Sequence, residues 1–230
     1  MTKHFQNDVP RDFSLDALDE LHDWLTLRRS PRVTDVYGEW TTAASGIIHR
    51  LKACDEDCSS IVGSLHVGKF APPADERYRQ ERDLFRFFFQ AVSCMECVSY
   101  GMFFLGSWVL PAAFEPQIER NRVTPSEVVS RYRSHYPSES LTGELAEALN
   151  GSEFREMTAI RNVLSHRGSP GRSLIAGDDS GTGEWNLRVS DEQSTVFLDP
   201  DGLLRRREWI AVSVNTILGA ALPFVQKHLP

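Results

Sequence analysis

The feature that most constrains this fold is a long segment that is apolar on almost every side. The longest predicted helix runs from about Glu76 to Val109, and its second half reads FRFFFQAVSCMECVSYGMFFLGSWVL. A helix of this kind is buried inside a protein or spans a membrane. Arg86 and Glu96 stand just before the charge-free stretch and Gly101 falls within it. We therefore expect a central helix of a helical protein and no association with a membrane.

The remaining helices are predicted from apolar residues at helical spacing. They occupy residues 14–29, 34–51, 123–137, 141–150, 152–167 and 203–228. Thr124 followed by Pro125 marks one helix start, and Gly168 with Pro170 marks the end of the helix that begins at 152. The sequence contains no internal repeat and no alternation of strands with helices. It therefore predicts an all-α fold, an antiparallel helical bundle.

One polar segment departs from this helical pattern. Residues 173–202 contain GDDSGTG followed by EWNLRV and STVFLD, two runs in which apolar and polar residues alternate. Alternation of this kind is typical of paired strands. We predict a small β-hairpin excursion there, immediately before the last helix.

Length and composition favour one folded domain. The chain has 230 residues, of which 41% are hydrophobic, and this is enough for a sizeable core. We predict a single helical domain over 1–230, with a loose N-terminus over 1–11 and an N-terminal helical extension over 12–75. The first residues, MTKHFQNDVPRDF, lack the apolar stretch of a signal peptide, so we expect a cytoplasmic protein.

The overall charge restricts where an anion could bind. The formal net charge is −7 and the pI is about 5.5, which argues against a protein that coats nucleic acid by bulk electrostatics. Any anion site must therefore be local. The segment from Thr158 to Ala176 contains no acidic residue and carries Arg161, Arg167 and Arg172. This segment is the candidate anion site.

The helix that begins at 152 carries an arginine close to its apolar side. On a helical wheel of about 100° per residue that starts at Phe154, the residues Met157, Ile160 and Leu164 define the apolar stripe, and Arg161 lies within about 60° of its centre. An unpaired buried guanidinium is costly. Arg161 should therefore contact a carboxylate, a carbonyl, an anionic ligand or another subunit.

His166 does not share a helix face with this arginine. The two residues are about 140° apart on the wheel if the helix stays regular. Two arrangements would bring them together. The helix could end at 166–167 and free the histidine, or a symmetric dimer could supply a second copy of the segment across a two-fold axis.

A known sequence motif matches this segment. Residues 161–166 read RNVLSH, an arginine followed directly by a polar residue and then by a histidine. The segment resembles the R-x4-6-H motif of the HEPN superfamily (higher eukaryotes and prokaryotes nucleotide-binding), and the order of long helices is similar over about 76–230. The resemblance implies a HEPN-like bundle that forms a homodimer with two motifs in one cleft. It also implies a metal-independent endoribonuclease of the toxin–antitoxin or phage-defence type, with RNA as substrate and an antitoxin protein as a candidate partner.

The resemblance assigns roles to individual residues. His166 would act as general base or acid around a ribose 2′-OH and the leaving 5′-oxygen, Arg161 would hold the phosphate, and Asn162 would position its partners by hydrogen bonds. Further candidate substrate contacts are Ser165, Arg167 and Arg172. We expect no metal ion and no cofactor.

Other interpretations compete with a nuclease. A protein of the same fold could bind RNA, a nucleotide or another protein without catalysing a reaction. Arg161 and His166 could also complement the dipole at the end of their helix. We expect Arg205–Arg207 to lie on a solvated helix face unless the fold gathers them beside His166. Three tryptophans are expected in the core: Trp40, Trp108 and Trp209.

The four cysteines offer a structural alternative. Cys54 and Cys58 are four residues apart, and Cys94 and Cys97 are three apart, so each pair could share a helix face and two pairs could form a zinc site. The spacing permits such a site without requiring it. In a reducing cytoplasm we expect free thiols, with Cys94 and Cys97 in the core and Cys54 and Cys58 nearer to solvent.

Overall fold

The structure, a computed structural model, describes most of the chain and is mostly helical, as the sequence predicts for an all-α fold. The described residues are 13, 16–28, 34–67, 72–115, 117–118, 122–166, 171–174, 183–188 and 195–229. The segment 1–11, for which a loose N-terminus is predicted, lies outside them.

Seven α-helices lie within the described residues. They are α1 (Asp16–Leu27), α2 (Thr34–Val67), α3 (Ala74–Val109), α4 (Pro125–His135), α5 (Ser140–Asn150), α6 (Ser152–His166) and α7 (Pro200–His228). As the sequence predicts, Thr124 caps α4, because its hydroxyl accepts a hydrogen bond from the amide of Glu127 and Pro125 occupies the first turn.

Helix α2 is longer than predicted, since it continues past residue 51 to Val67. The reason is an apolar stripe that continues through the segment CDEDC, whose three acidic residues make this segment look like a loop in the sequence. Its members recur every three or four residues and are all buried: Leu51, Cys54, Cys58, Ile61 and Leu65. The expectation that Cys54 and Cys58 lie nearer to solvent is therefore wrong, because both side chains belong to this stripe.

Three short strands lie between α6 and α7. They are β1 (Gly171–Leu174), β2 (Gly183–Arg188) and β3 (Thr195–Leu198), and they pair in antiparallel fashion in the order β1-β2-β3. Leu187 and Leu198 are buried, and β2 contacts α6. The strands therefore lie directly after the helix that carries the arginine and histidine.

The chain clusters into two compact units. The first unit comprises residues 1–51, 93–151 and 210–230, and the second comprises residues 52–92 and 152–209. The helices α2, α3 and α7 contribute residues to both. The predicted single domain, with an extension over 12–75, stays a prediction.

Aromatic side chains form the core of the first unit. The ring of Phe114 lies 5.7 Å from that of Phe103 and 5.0 Å from that of Tyr132, and Tyr132 lies 5.6 Å from Phe224. These rings meet at steep angles, as aromatic pairs prefer. The buried Tyr132 hydroxyl donates a 2.8 Å hydrogen bond to the carbonyl of Met102, so burial leaves it satisfied.

Two glycines let other side chains approach the backbone of α3. A Cβ on Gly106 would lie 2.7 Å from Cδ1 of Phe114, and a Cβ on Gly101 would lie 3.2 Å from the indole of Trp40. Real Cβ atoms do not pack at the first of these distances. The aromatic packing of the first unit therefore depends on a missing side chain at Gly106.

Two helices are long and apolar enough to cross a membrane, judged by length and composition alone. They are Ala74–Val109 and Pro200–His228, and 67% and 44% of their most apolar windows are buried. The core helix of a protein passes the same test. The absence of membrane association stays a prediction.

We predict that Gly106→Ala lowers the free energy of unfolding by about 1–3 kcal/mol, because the added methyl group overpacks the ring of Phe114. Gly38→Ala is the matched control, since its Cβ meets no described atom within 4 Å and α2 gains the better helix former. The control should raise stability by about 0.5–1 kcal/mol. Urea unfolding followed by circular dichroism measures both, and equal stability of the two variants would contradict the packing described.

Candidate functional site

Helix α6 carries the motif within the second unit. Its buried residues are Phe154, Met157, Ile160 and Val163. The wheel prediction placed Leu164 in this stripe, but Leu164 is only half-buried and Val163 takes its place.

Arg161 lies at the edge of the buried face of α6. About 70° now separates it from the centre of the stripe, and the residue is half-buried. Its Nε atom is shielded from solvent, and the residue takes part in an interaction within the fold. The guanidinium is therefore held against the protein, as the sequence predicts for an arginine near an apolar stripe.

His166 has the opposite environment. It is the last residue of α6 and is exposed, and it has no hydrogen-bond partner among the described residues. Because α6 stays helical from Arg161 to His166, the two side chains remain about 140° apart around the axis. One copy of the chain does not bring them to one face of the helix.

The other predicted site residues follow the same helix and the strand after it. Asn162 and Ser165 are exposed on α6. Arg167 lies outside the described residues. Arg172 belongs to β1, where its backbone pairs with Trp185 of β2.

A cavity of about 370 Å³ lies between the first turns of α6 and α7 in the second unit. Its main lining side chains are Glu153, Glu156 and Met157 of α6 and Arg205, Arg206 and Trp209 of α7. Charged, apolar and aromatic groups therefore meet in one concave place. No pattern in the sequence predicts this cavity.

An ion pair connects the two helices that form the cavity. Arg206 donates from Nε and Nη2 to one carboxylate oxygen of Glu156, at 2.9 Å and 2.5 Å, and from Nη1 to the carbonyl of Gly202 at 2.9 Å. A Cβ on Gly202 would lie 2.9 Å from that Nη1 and 2.6 Å from Oδ1 of Asp199, which caps α7. The glycine therefore lets Arg206 fold onto the start of its own helix.

The arginine next to it is available to a ligand. Arg205 is exposed, and none of the described residues offers it a carboxylate or a hydrogen-bond partner. Across the cavity, Glu153 accepts hydrogen bonds from its own backbone amide and from the hydroxyl of Ser152, and these lower its pKa. Glu153 therefore stays ionised at neutral pH, opposite a guanidinium that has no partner in the part of the chain that the structure describes.

The expectation of a solvated face at Arg205–Arg207 is wrong for two of its three members. The side chains of Arg206 and Arg207 are 17% and 14% exposed, and Arg207 pairs with Asp55 of α2 at 2.6 Å. The expectation that Trp209 is a core residue is also wrong, since it is half-buried at the cavity. The available signal was the four-residue spacing of Arg205 and Trp209, which places them on one face of α7.

A second polar cluster connects α2 with the first half of α3. Asp57 pairs with Arg86 at 3.2 Å, and Asp83 accepts hydrogen bonds from Ser60 at 2.8 Å and from Arg82 at 2.8 Å and 2.9 Å. Burial raises the pKa of Asp57 to about 6, although Arg86 acts in the opposite direction. Asp57 is therefore a buried carboxyl that titrates near neutrality.

A further cavity of about 430 Å³ adjoins this cluster. Asp75, Glu76 and Asp83 line it together with Arg79 and Arg82. Three carboxylates and two guanidinium groups line its walls, so the cavity has charges of both signs.

The four cysteines are free thiols, and three of them are buried. Cys54, Cys58 and Cys94 are buried, and burial raises the pKa of Cys58 to about 12 and that of Cys94 still further. Burial also raises the pKa of Cys97. Across the described residues, no group of three or more His, Cys, Asp or Glu side chains is placed to hold a metal ion.

Comparisons with family models, curated proteins and solved structures find no match. The function therefore has to be inferred from the residues themselves.

We predict that Asp57 makes the protein less stable as the pH rises. Its folded pKa, about 6, exceeds the usual 3.8, so stability is fully present below 3.8 and is lost as the pH rises through 6. Asp57→Asn should remove this loss. From pH 5 to pH 7 the wild type should lose about 1–2 kcal/mol relative to the variant, since one pKa unit corresponds to about 1.4 kcal/mol.

Urea unfolding at several pH values measures this difference. Glu147→Gln, which removes an exposed carboxylate of α5, is the control and should follow the wild type. Parallel pH profiles for the wild type and Asp57→Asn would show that Asp57 titrates normally.

Proposed function

We propose that this protein is a HEPN-like, metal-independent endoribonuclease of the cytoplasm that acts as a homodimer. The observation that carries the proposal is the contrast along α6. Arg161 is half-buried and engaged, whereas His166 is exposed at the helix end on a different face. An anion-binding group that is fixed and a proton-transfer group that is accessible are what cleavage of a phosphodiester needs.

The reaction would be an internal transesterification. His166 removes the proton from the ribose 2′-OH, the 2′-oxygen forms a bond to phosphorus, and the bond from phosphorus to the 5′-oxygen breaks. A histidine returns a proton to that 5′-oxygen, so protons balance without water or metal. Histidine suits both steps because its ordinary pKa is near neutrality, and the planar guanidinium of Arg161 suits the phosphate.

A dimer would solve the geometric difficulty of a single chain. Two copies related by a two-fold axis would pair Arg161 of one subunit with His166 of the other, and each dimer would then hold two such sites. Asn162 and Ser165 are exposed on the same helix and would contact the RNA there. Toxin–antitoxin or phage-defence systems, with an antitoxin as partner, are the biological settings that fit such an activity.

A second candidate function follows from the same geometry. Because one chain holds the arginine and the histidine on different faces, a copy that does not form the required dimer would bind a ligand without cleaving it. The alternative is therefore a helical module of the same fold that binds RNA, a nucleotide or a protein without catalysing a reaction.

We expect purified protein to cleave single-stranded RNA in EDTA, and His166→Ala and Arg161→Ala to lower the rate at least about 100-fold, the scale of one acid–base group. His135→Ala is the matched control, since His135 is also exposed and also ends its helix, α4. Gel analysis of the RNA gives the rate and sedimentation gives the oligomeric state. Unchanged cleavage in both motif variants would refute the proposal.

A mixing experiment tests whether the site is shared between subunits. Arg161→Ala and His166→Ala chains, unfolded together and refolded, should recover about a quarter of the wild-type rate, because half of the dimers are mixed and each mixed dimer keeps one of two sites. Each variant refolded alone should stay inactive. A mixture as inactive as the separate variants would show that both groups act within one chain.

A further inference from the structure

The cavity between the first turns of α6 and α7 has a size that limits its ligand. Its volume is about 370 Å³. This is near the lower end of ligand pockets, which run from about 300 to 1,000 Å³. A single nucleotide unit fits such a space better than a dinucleotide cofactor does.

An aromatic side chain forms part of the cavity wall. Trp209 is half-buried there, and the buried Met157 lines the same cavity. Fully enclosed tryptophans of this chain, such as Trp40, have no access to a ligand. A partly exposed indole at a cavity can stack on a nucleobase of any sequence, because every base has a π face.

The charges around the cavity favour one phosphate group. Arg206 is already bonded to Glu156 and to the carbonyl of Gly202, so its charge is compensated. Arg205 is exposed, has no partner among the described side chains, and lies one helical turn before Trp209. Glu153 stays ionised on the opposite wall and would repel a second phosphate. Of the two described cations that line the cavity, Arg205 is therefore the one that can meet an anion.

We infer that this cavity binds one nucleotide of single-stranded RNA, with the base on Trp209 and the phosphate at Arg205. Naming RNA as the ligand rests on the proposed nuclease function. The cavity lies at the start of α6, whereas Arg161, which would hold the cleaved phosphate, lies roughly 7.5 Å further along the axis from Glu156 and about 140° around it. The nucleotide in the cavity is therefore not the one that is cleaved, and the cavity is a binding subsite.

Adenosine 5′-monophosphate and adenosine are the probes that separate the two contacts. Binding is measured by calorimetry and saturation-transfer NMR on His166→Ala protein, so that no cleavage interferes. Arg205→Gln should weaken the monophosphate about tenfold and leave adenosine unchanged, because only the phosphate loses its partner. Trp209→Leu should weaken both probes about tenfold, because stacking is lost.

Matched controls come from the first unit. Arg133→Gln removes an exposed arginine of α4, and Trp24→Leu removes a half-buried tryptophan of α1. Both should change either affinity less than about twofold. If Trp209→Leu does not fold, as circular dichroism would reveal, the exposed Arg205 decides the result alone. Equal affinities for the monophosphate in wild type and Arg205→Gln, or no binding of either probe, would overturn the inference.

The same variants distinguish this inference from the proposed function. In protein with intact His166, Arg205→Gln and Trp209→Leu should raise KM for RNA with little change in kcat. Nucleotide binding that depends on Arg205, in a protein that cleaves no RNA, would support the subsite and refute the nuclease. RNA cleavage with an unchanged KM in both variants would support the nuclease and refute the subsite.

Discussion

A helix that is apolar on every side has to be covered on every side. The second half of α3 is such a helix, and the rest of the first unit packs around it. Trp40 of α2 packs against it at Gly101, Phe114 packs against it at Gly106, and the hydroxyl of Tyr132 of α4 reaches its backbone. These contacts come from three different parts of the chain. The arrangement of the first unit is therefore largely explained by the burial of one element.

The second unit uses the same helices differently. Its portions of α2, α3 and α7 carry the partly buried ion pairs Asp57–Arg86 and Asp55–Arg207, and α6 adds the pair Glu156–Arg206. Pairs of this kind add little to stability, and the pair Glu156–Arg206 leaves charged groups at a cavity wall. The motif, both described cavities and a carboxyl that titrates near neutrality all belong to this unit. Function is most reasonably sought there.

Local patterns in the sequence predicted the helices and the character of α6, because helical periodicity and capping act within a few residues. The start of α4 at Thr124 and the place of Arg161 at the edge of the buried face both follow from such short-range rules. The end of α2 is predicted too early, at residue 51, because the acidic residues of CDEDC interrupt the apolar pattern of a stripe that is buried. The cavity could not be predicted, since it depends on contacts such as that between Glu156 and Arg206, which are fifty residues apart in the chain. Glu156 pairs with Arg206 and not with the neighbouring Arg205, and the positions of the two arginines in the sequence do not predict this choice.

The placement of the thiols has a practical consequence. Cys58 lies in the second unit and Cys94 in the first, both are enclosed, and burial keeps both protonated. A thiol that is protonated and out of solvent does not react with an alkylating reagent until the surrounding structure opens. Each unit thus contains its own chemical reporter. The rate at which iodoacetamide modifies each cysteine, read by mass spectrometry, would measure how often each unit opens, and no cysteine has to be engineered into the chain.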